Sequence, residues 1–175
     1  MLARAEEWAN RAPEVTHALV PEGGEASGVT TLCRLDPAAG SAEVGAVLFA
    51  RALQRTRAAT EAIHLLAAHL FDDLGYRRFE WKLDALNAPS ARAARRLGFR
   101  YEGRFRQALV YKGRNRDTDW FAMTDADWPQ VREAHLRWLD PANFDGHGRQ
   151  RVSLSSLTGD LAGGRVGPWT SGSAS

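Results

Sequence analysis

The chain predicts an α/β domain built on one mixed sheet, and three stretches carry that expectation. Thr16 to Val20, Gly28 to Leu35 and Ser41 to Phe49 are short runs joined by turns, which reads as an antiparallel meander. A long amphipathic helix then leads to a further strand, Tyr76 to Leu83. A strand reached through a crossover helix runs parallel to its neighbour. Asn87 to Gly103 completes the unit as a short helix with both ends written into it, followed by another strand.

Taken in order, Leu2, Ala5, Trp8 and Ala9 share a helical face, so residues 2 to 10 read as the end of an amphipathic helix. Pro21-Glu22-Gly23-Gly24 and Asp36-Pro37-Ala38-Ala39-Gly40 are the turns of the meander. Val29, Thr31, Cys33 and Leu35 alternate, which makes Cys33 a small buried residue rather than a catalytic thiol. The basic stretch Arg51 to Arg57 precedes the long helix, in which Ala59, Ala62, Ile63, Leu66, Ala67, Leu70, Phe71 and Leu74 keep the three-and-four spacing. Thr60, Glu61, His64, Ala68, Asp72 and Asp73 take its polar face, and Gly75 ends it. His64 and His69 have no paired ligands and are expected to be inert.

In the short helix Asn87 can cap the first N–H groups and Pro89 fits the first turn. Gly98 supplies the left-handed residue past the last turn, and Phe99 can fold back onto the helix. The strand that follows puts Tyr101 and Phe105 on one side, Glu102 and Arg104 on the other. Val110 to Asp117 reads as a wide hairpin and Thr118 to Thr124 as the last strand. Asp125 to Pro129 starts a helix carrying Val131, Ala134, His135 and Trp138. Past Leu139 the chain is rich in Gly and Ser without sustained periodicity. The domain is therefore expected to span residues 1–140, and residues 141–175 to form a mostly disordered tail.

Composition narrows the function classes. At 44% hydrophobic and 25% charged, the chain has the make-up of an ordinary globular protein. Its one cysteine, Cys33, excludes a disulfide framework and a multi-cysteine zinc site, so no metal is expected. No apolar run is long enough to span a bilayer, and the acidic start, Met1 to Glu7, lacks an apolar secretion core. A cytoplasmic protein with no membrane partner is the expectation. From Arg92 to Arg116, Arg92, Arg95, Arg96, Arg100, Arg104, Arg106, Lys112, Arg114 and Arg116 cluster near a single glutamate, Glu102. That cluster is either a solvated face or a positive rim for a phosphorylated ligand. No helix-turn-helix, zinc-finger or stacked-aromatic signature accompanies it, so nucleic acid is not the expected partner.

Gln54-Arg55-Thr56-Arg57-Ala58-Ala59-Thr60 lies directly after a strand, at the start of the long helix. Unpaired N–H groups and the helix dipole favour phosphate at such a place. Ala58 and Ala59 are small enough for close approach to the backbone, and Arg55 and Arg57 can add charge-assisted contacts.

The order of strand, basic loop, helix, strand and capped helix, with Asn87, Ser90 and Leu97-Gly98-Phe99, resembles the GNAT superfamily of acetyl-CoA-dependent N-acetyltransferases. Glu43-Val44-Gly45, Asn87 to Ser90, Arg96 to Gly103, Gly113 to Asp117 and Asp125 to Pro129 are most similar to the branch that includes ribosomal-protein N-terminal acetyltransferases. The resemblance covers roughly residues 15 to 130. It implies a GNAT-like fold, a mostly antiparallel central sheet whose parallel strand pair splays at the cofactor. The strand Ser41 to Phe49 would part from Tyr76 to Leu83, and the pantetheine arm of acetyl-CoA would lie in the gap, near Val47 and Phe49. The loop Gln54 to Ala59 would hold the pyrophosphate, and Asn87 and Ser90 would line the thioester end.

The chemistry so implied is direct transfer of an acetyl group to a primary amine, on a protein N-terminus or a small molecule, without a covalent enzyme intermediate. Glu43 is then the candidate base, acting through water, with Glu80 and Asp84 behind it. Val47 N–H is a candidate oxyanion donor, and the thiolate leaves either with a proton from Ser90 through water or with none. Three features depart from the family pattern. Arg57 stands where the loop usually has a small residue, and Ala94 where many members carry a tyrosine acid. The segment before the first strand is also short for the family, which would leave an uncovered sheet edge and a reason to pair as a homodimer. These departures keep open a second reading, a GNAT-like domain that binds acyl-CoA or a protein partner without turnover. The arginine cluster alone supports a third, a basic RNA- or ribosome-associated module.

Overall fold

In the computed structural model, which describes residues 14–162, the strands are β1 (Val15–Leu19), β2 (Gly28–Asp36), β3 (Ser41–Phe49), β4 (Arg78–Asp84), β5 (Arg100–Tyr111) and β6 (Arg114–Thr124). They form one sheet in the order β1-β2-β3-β4-β6-β5. Only β3 and β4 run parallel, joined by the crossover helix α1 (Arg57–Ala68). Three further helices follow: α2 (Ala88–Arg96), α3 (Trp128–Leu139) and α4 (Leu154–Ala162). The mixed sheet read from the meander and the crossover is therefore present. The helix expected over residues 2 to 10 falls outside the described residues.

The alternation of the strands divides the sheet into two unlike faces. Leu32, Ala42, Val44, Phe79, Trp81, Leu83, Phe121 and Met123 form one core with Ile63, Leu66 and Leu70 of the long helix, Leu97, Val131 and Leu154. The opposite face carries Glu43, Glu80, Lys82 and Trp120, and no described helix packs on it.

The short helix is built as its sequence indicates. Asn87 Oδ1 accepts a hydrogen bond from Ser90 N at 3.2 Å. At the other end Phe99 N donates to Ala94 O and Gly98 N to Arg95 O, both at 3.0 Å, which closes a Schellman motif. Gly98 sits at φ +89°, and a Cβ there would lie 2.8 Å from both Val131 methyl carbons, so only glycine fits the turn and the packing.

Four expectations need correction. The long helix does not stay α-helical to Gly75; its last turn, His69–Asp73, is a π-helix. His64 is not on an exposed polar face. It is buried against Trp128 and His135, with ring centroids 5.6 and 5.5 Å away, because α1 packs on α3 as well as on the sheet. The β5–β6 connection is not wide. Lys112 (φ +50°) and Gly113 (φ +74°) form a two-residue turn with both central residues left-handed. A bulge at Glu102 and Gly103 shifts the register, so Tyr101 pairs with Phe121 on the helical face while Phe105 stacks on Trp120 on the other.

The domain also runs past residue 140. Asn143 donates to Trp138 O and Val152 O and accepts from Val152 N, tying the segment after α3 into a closed loop. In α4 Leu154 and Thr158 are fully buried, and the Thr158 hydroxyl donates to Arg96 O at 3.1 Å at the end of α2. The segment from Asn143 to Thr158 thus packs against the domain. One apolar turn and one buried threonine are too short a signal for a periodicity argument.

His135 yields a pH prediction. It is fully buried, and its Nε2 faces Leu97 O at 3.1 Å. Burial first, and the neighbouring His64 second, push its pKa down to about 4. The unfolded chain titrates near 6.5. Between those values only the unfolded state takes the proton, so stability present above about pH 6.5 is lost as pH falls toward 4, by about 3 kcal/mol in total. Urea midpoints at pH 7.5 and 5 measure this, and His135→Leu is expected to flatten the dependence.

Candidate active site

The parallel pair does not stay together. Ser41–Val44 of β3 pair with Arg78–Trp81 of β4, and from Gly45 onward β3 is bonded only to β2. The parting coincides with a register shift against β2 and with Ala46 at φ +46°, a sparsely populated conformation for a non-glycine residue. Val47 and Phe49, half-buried against the core, lie on the freed stretch. A gap therefore opens at Val44 and Trp81, with the start of α1 beyond the end of β3.

The turn between β3 and α1 is internally braced. Gln54 Nε2 donates to Phe49 O at 3.0 Å, and Thr56 Oγ1 donates to Leu53 O at 2.7 Å. Thr56 Oγ1 also accepts from Ala59 N at 3.2 Å, capping α1. Arg55 is exposed at φ +63°. The N–H groups of Arg57 and Ala58 are left without intrahelical partners. Two residues of the stretch point elsewhere. The Arg57 guanidinium turns away to donate to Leu139 O, at the end of α3, at 2.6 Å and stacks on Phe144. That carbonyl is an orphan acceptor at a helix C-terminus, where the dipole favours a cation. Thr60 is buried and accepts from the Arg96 guanidinium at 3.1 Å. Arg57 and Thr60 are thus structural, and Gln54, Arg55, Thr56, Ala58 and Ala59 remain at the mouth of the helix.

On the open face at the head of the gap stands Glu43, with 12% of its side chain exposed. It pairs with Lys82 of β4 and lies 3.5 Å from Arg34 Nε of β2. Burial pushes its carboxyl above the ordinary range, while the hydrogen bond and charge of Lys82 pull it back. Beside it, Cys33 is half-buried with its thiol directed at Glu43 O, and burial pushes that thiol up to about 11. On the helical side, Ser90 Oγ accepts from Trp81 Nε1 at 2.9 Å, which leaves the serine proton free to donate. Glu43 and Ser90 thus flank the gap from opposite faces. The Asn87 carbonyl is spent on the α2 cap.

A family profile described as an acetyltransferase (GNAT) domain matches residues 1–100. The chain belongs to the GNAT acetyltransferase family. A GCN5-related N-acetyltransferase from Brucella melitensis is 41% identical, with TM-score 0.83, over 91% of this chain and 74% of that one. A GNAT-family protein from Chromobacterium violaceum is 42% identical, with TM-score 0.68, over 73% of this chain and 65% of its own length. Spermidine N-acetyltransferase from Vibrio cholerae, in a mutant form, shares the fold at 16% identity and TM-score 0.62. No curated protein matches the chain.

GNAT enzymes use acetyl-CoA as the acetyl donor, and the residues present fit such a ligand: a freed strand edge, two unpaired N–H groups at the start of α1 and small Ala58 beside them. Arg57, the departure in the loop, does not obstruct it, because its side chain leaves the helix mouth. Arg57→Ala is expected to cost on the order of 1 kcal/mol of stability and to leave acetyl-CoA affinity within about twofold. Thermal melting and calorimetry test the two halves. A cavity of about 310 Å³ lies between β1 and α1; it shares Ala58 with the helix mouth but includes no residue of β4 or α2. Among the described residues no group of three or more His, Cys, Asp or Glu could hold a metal, and no helix is long and apolar enough to cross a membrane.

Proposed function

We propose that this GNAT acetyltransferase moves an acetyl group from acetyl-CoA directly to a primary amine, with Glu43 as base and Ser90 as proton donor. The observation that carries the reading is the parting of β3 from β4 immediately beyond Glu43, at the bulged Ala46. Acetyl-CoA supplies the acetyl group as a thioester. Glu43, through water, takes the proton of the amine as its nitrogen bonds to the acetyl carbon. Val47 N–H holds the carbonyl oxygen in this reading, and Ser90, whose oxygen accepts from Trp81 and whose proton is free, gives a proton through water to the departing sulfur as the C–S bond breaks. Gln54, Arg55, Thr56, Ala58 and Ala59 frame the pyrophosphate, and Asn87 supports the thioester end by fixing α2.

The acceptor that fits the open face is a protein N-terminus, as in the ribosomal-protein branch. Phe105 stacks on Trp120 at 5.1 Å, and Leu109 and Tyr111 continue exposed on the same face, an apolar track leading from the hairpin toward Glu43. Among the described residues the sheet ends at β1 and β5, and either terminal strand is a place for a second copy to pair.

Fully buried Ala94, where many family members carry a tyrosine acid, favours a second reading: a domain that binds acyl-CoA or a protein partner without turnover. Calorimetry with acetyl-CoA, followed by free-thiol release across a panel of amines and peptides, separates the two. Absence of binding sinks the first reading and the acyl-CoA form of the second; binding without thiol release leaves the second.

A further inference from the structure

The chain has 23 lysine and arginine residues, and Lys82 is a rare lysine among them. It does not lie loose on the surface. Only 14% of its side chain is exposed, its ammonium pairs with Glu43, and it sits 4.4 Å from the centre of the Trp120 ring. Trp120 lies opposite Lys82 across the β4–β6 ladder, so the platform comes from a different strand than the carboxylate. Val44 opposite Trp81 is the last β3–β4 pair, so Lys82 stands where the gap begins and its side chain reaches back to Glu43. The ring face favours a cation there, the more so where water is scarce.

We propose that Lys82 is a positioning residue for acetyl transfer: pinned between Trp120 and Glu43, it aims the Glu43 carboxylate at the head of the gap and keeps it ionised. This rests on the reading of Glu43 as base. The other groups facing Glu43 cannot do the same work. Arg34 of β2 is 3.5 Å away, but its side chain is 63% exposed and its charge is screened. Cys33 of β2 stays neutral, and Glu80 of β4 is repulsive but held by Arg78 at 2.7 Å. From β6 only the uncharged Trp120 reaches the cluster. Lys82 is the cation that burial does not let solvent replace.

The test follows the Glu43 carboxyl carbon by NMR in 13C-glutamate-labelled protein, the signal being assigned by its loss in Glu43→Gln. In Lys82→Met and Lys82→Gln its titration midpoint is expected to rise by about one pH unit or more, and in Lys82→Arg to stay within about 0.3 unit. With an acceptor from the amine panel, the acid limb of kcat/KM moves by the same amounts. Folded Met and Gln variants whose midpoint stays at the wild-type value overturn the proposal. If Glu43→Gln turns over like wild type while the midpoint shift is present, the base reading has failed, and the catalytic role of Lys82 falls with it.

Discussion

Glu43→Gln is expected to lower the rate of thiol release by about 10²–10⁴-fold, the usual contribution of a positioned general base. Acetyl-CoA affinity should stay within about twofold, since Glu43 stands at the head of the gap and the candidate phosphate contacts lie beyond the far end of β3. The change is isosteric and leaves the sheet intact. It removes the one carboxylate at the parting of the strands. Glu80 is held by Arg78, and the Asp84 carboxylate by Leu86 N at 2.9 Å and Arg116 Nε at 3.6 Å, so neither is free to take over. The pH dependence has a definite sign. A base works ionised and burial raises the Glu43 carboxyl, so activity should climb with pH through a midpoint above the ordinary carboxylate range. Stopped assays with a thiol reagent, run from acid to neutral pH, measure both effects. An unchanged rate at neutral pH removes Glu43 as base.

Phe99→Ala is expected to destabilise the fold by about 3–5 kcal/mol, the range for deleting a fully buried aromatic ring. Phe99 has no exposure and touches Phe79 and Trp81 at centroid distances of 5.3 and 5.5 Å. The effect reaches the site, because Trp81 is the donor that orients Ser90. A urea titration should show a lower midpoint, and whatever protein remains folded should release thiol more slowly than wild type. Full activity in the folded fraction would show that Trp81 holds Ser90 without the ring beneath it.

Much of this arrangement was legible in the chain. The capped helix from Asn87 to Gly98 announced itself because caps are local: an asparagine, a proline near the first turn and a glycine each act within a few residues. β3 and the crossover helix were legible through periodicity. What could not be read was set by distant partners. Arg57 looks like a phosphate ligand until the end of α3 is known to lie beside it. His64 and Thr60 look like surface until α3 and Arg96 cover them. The bulge at Glu102 and Gly103 puts Tyr101 and Phe105 on opposite faces, and no local rule places it there. The pair Lys82 and Glu43 comes from two strands that meet only through the crossover, and a lone lysine in an alternating strand gives no signal of it.

The open face of the sheet is dense in charge and yet nearly neutral. Arg34, Lys82 and Arg78 alternate with Glu43, Glu80 and Glu102, each joined to an opposite partner. Such a mosaic has little long-range field, so it neither pulls in a polycation nor repels one. An acceptor at the proposed site would reach it by unsteered diffusion, with association rate constants on the order of 10⁵–10⁶ M⁻¹s⁻¹ that change little with ionic strength. For the proposed protein N-terminus as acceptor, discrimination would then depend on how well the first residues lie along the aromatic track, a matter of dwell time rather than of arrival.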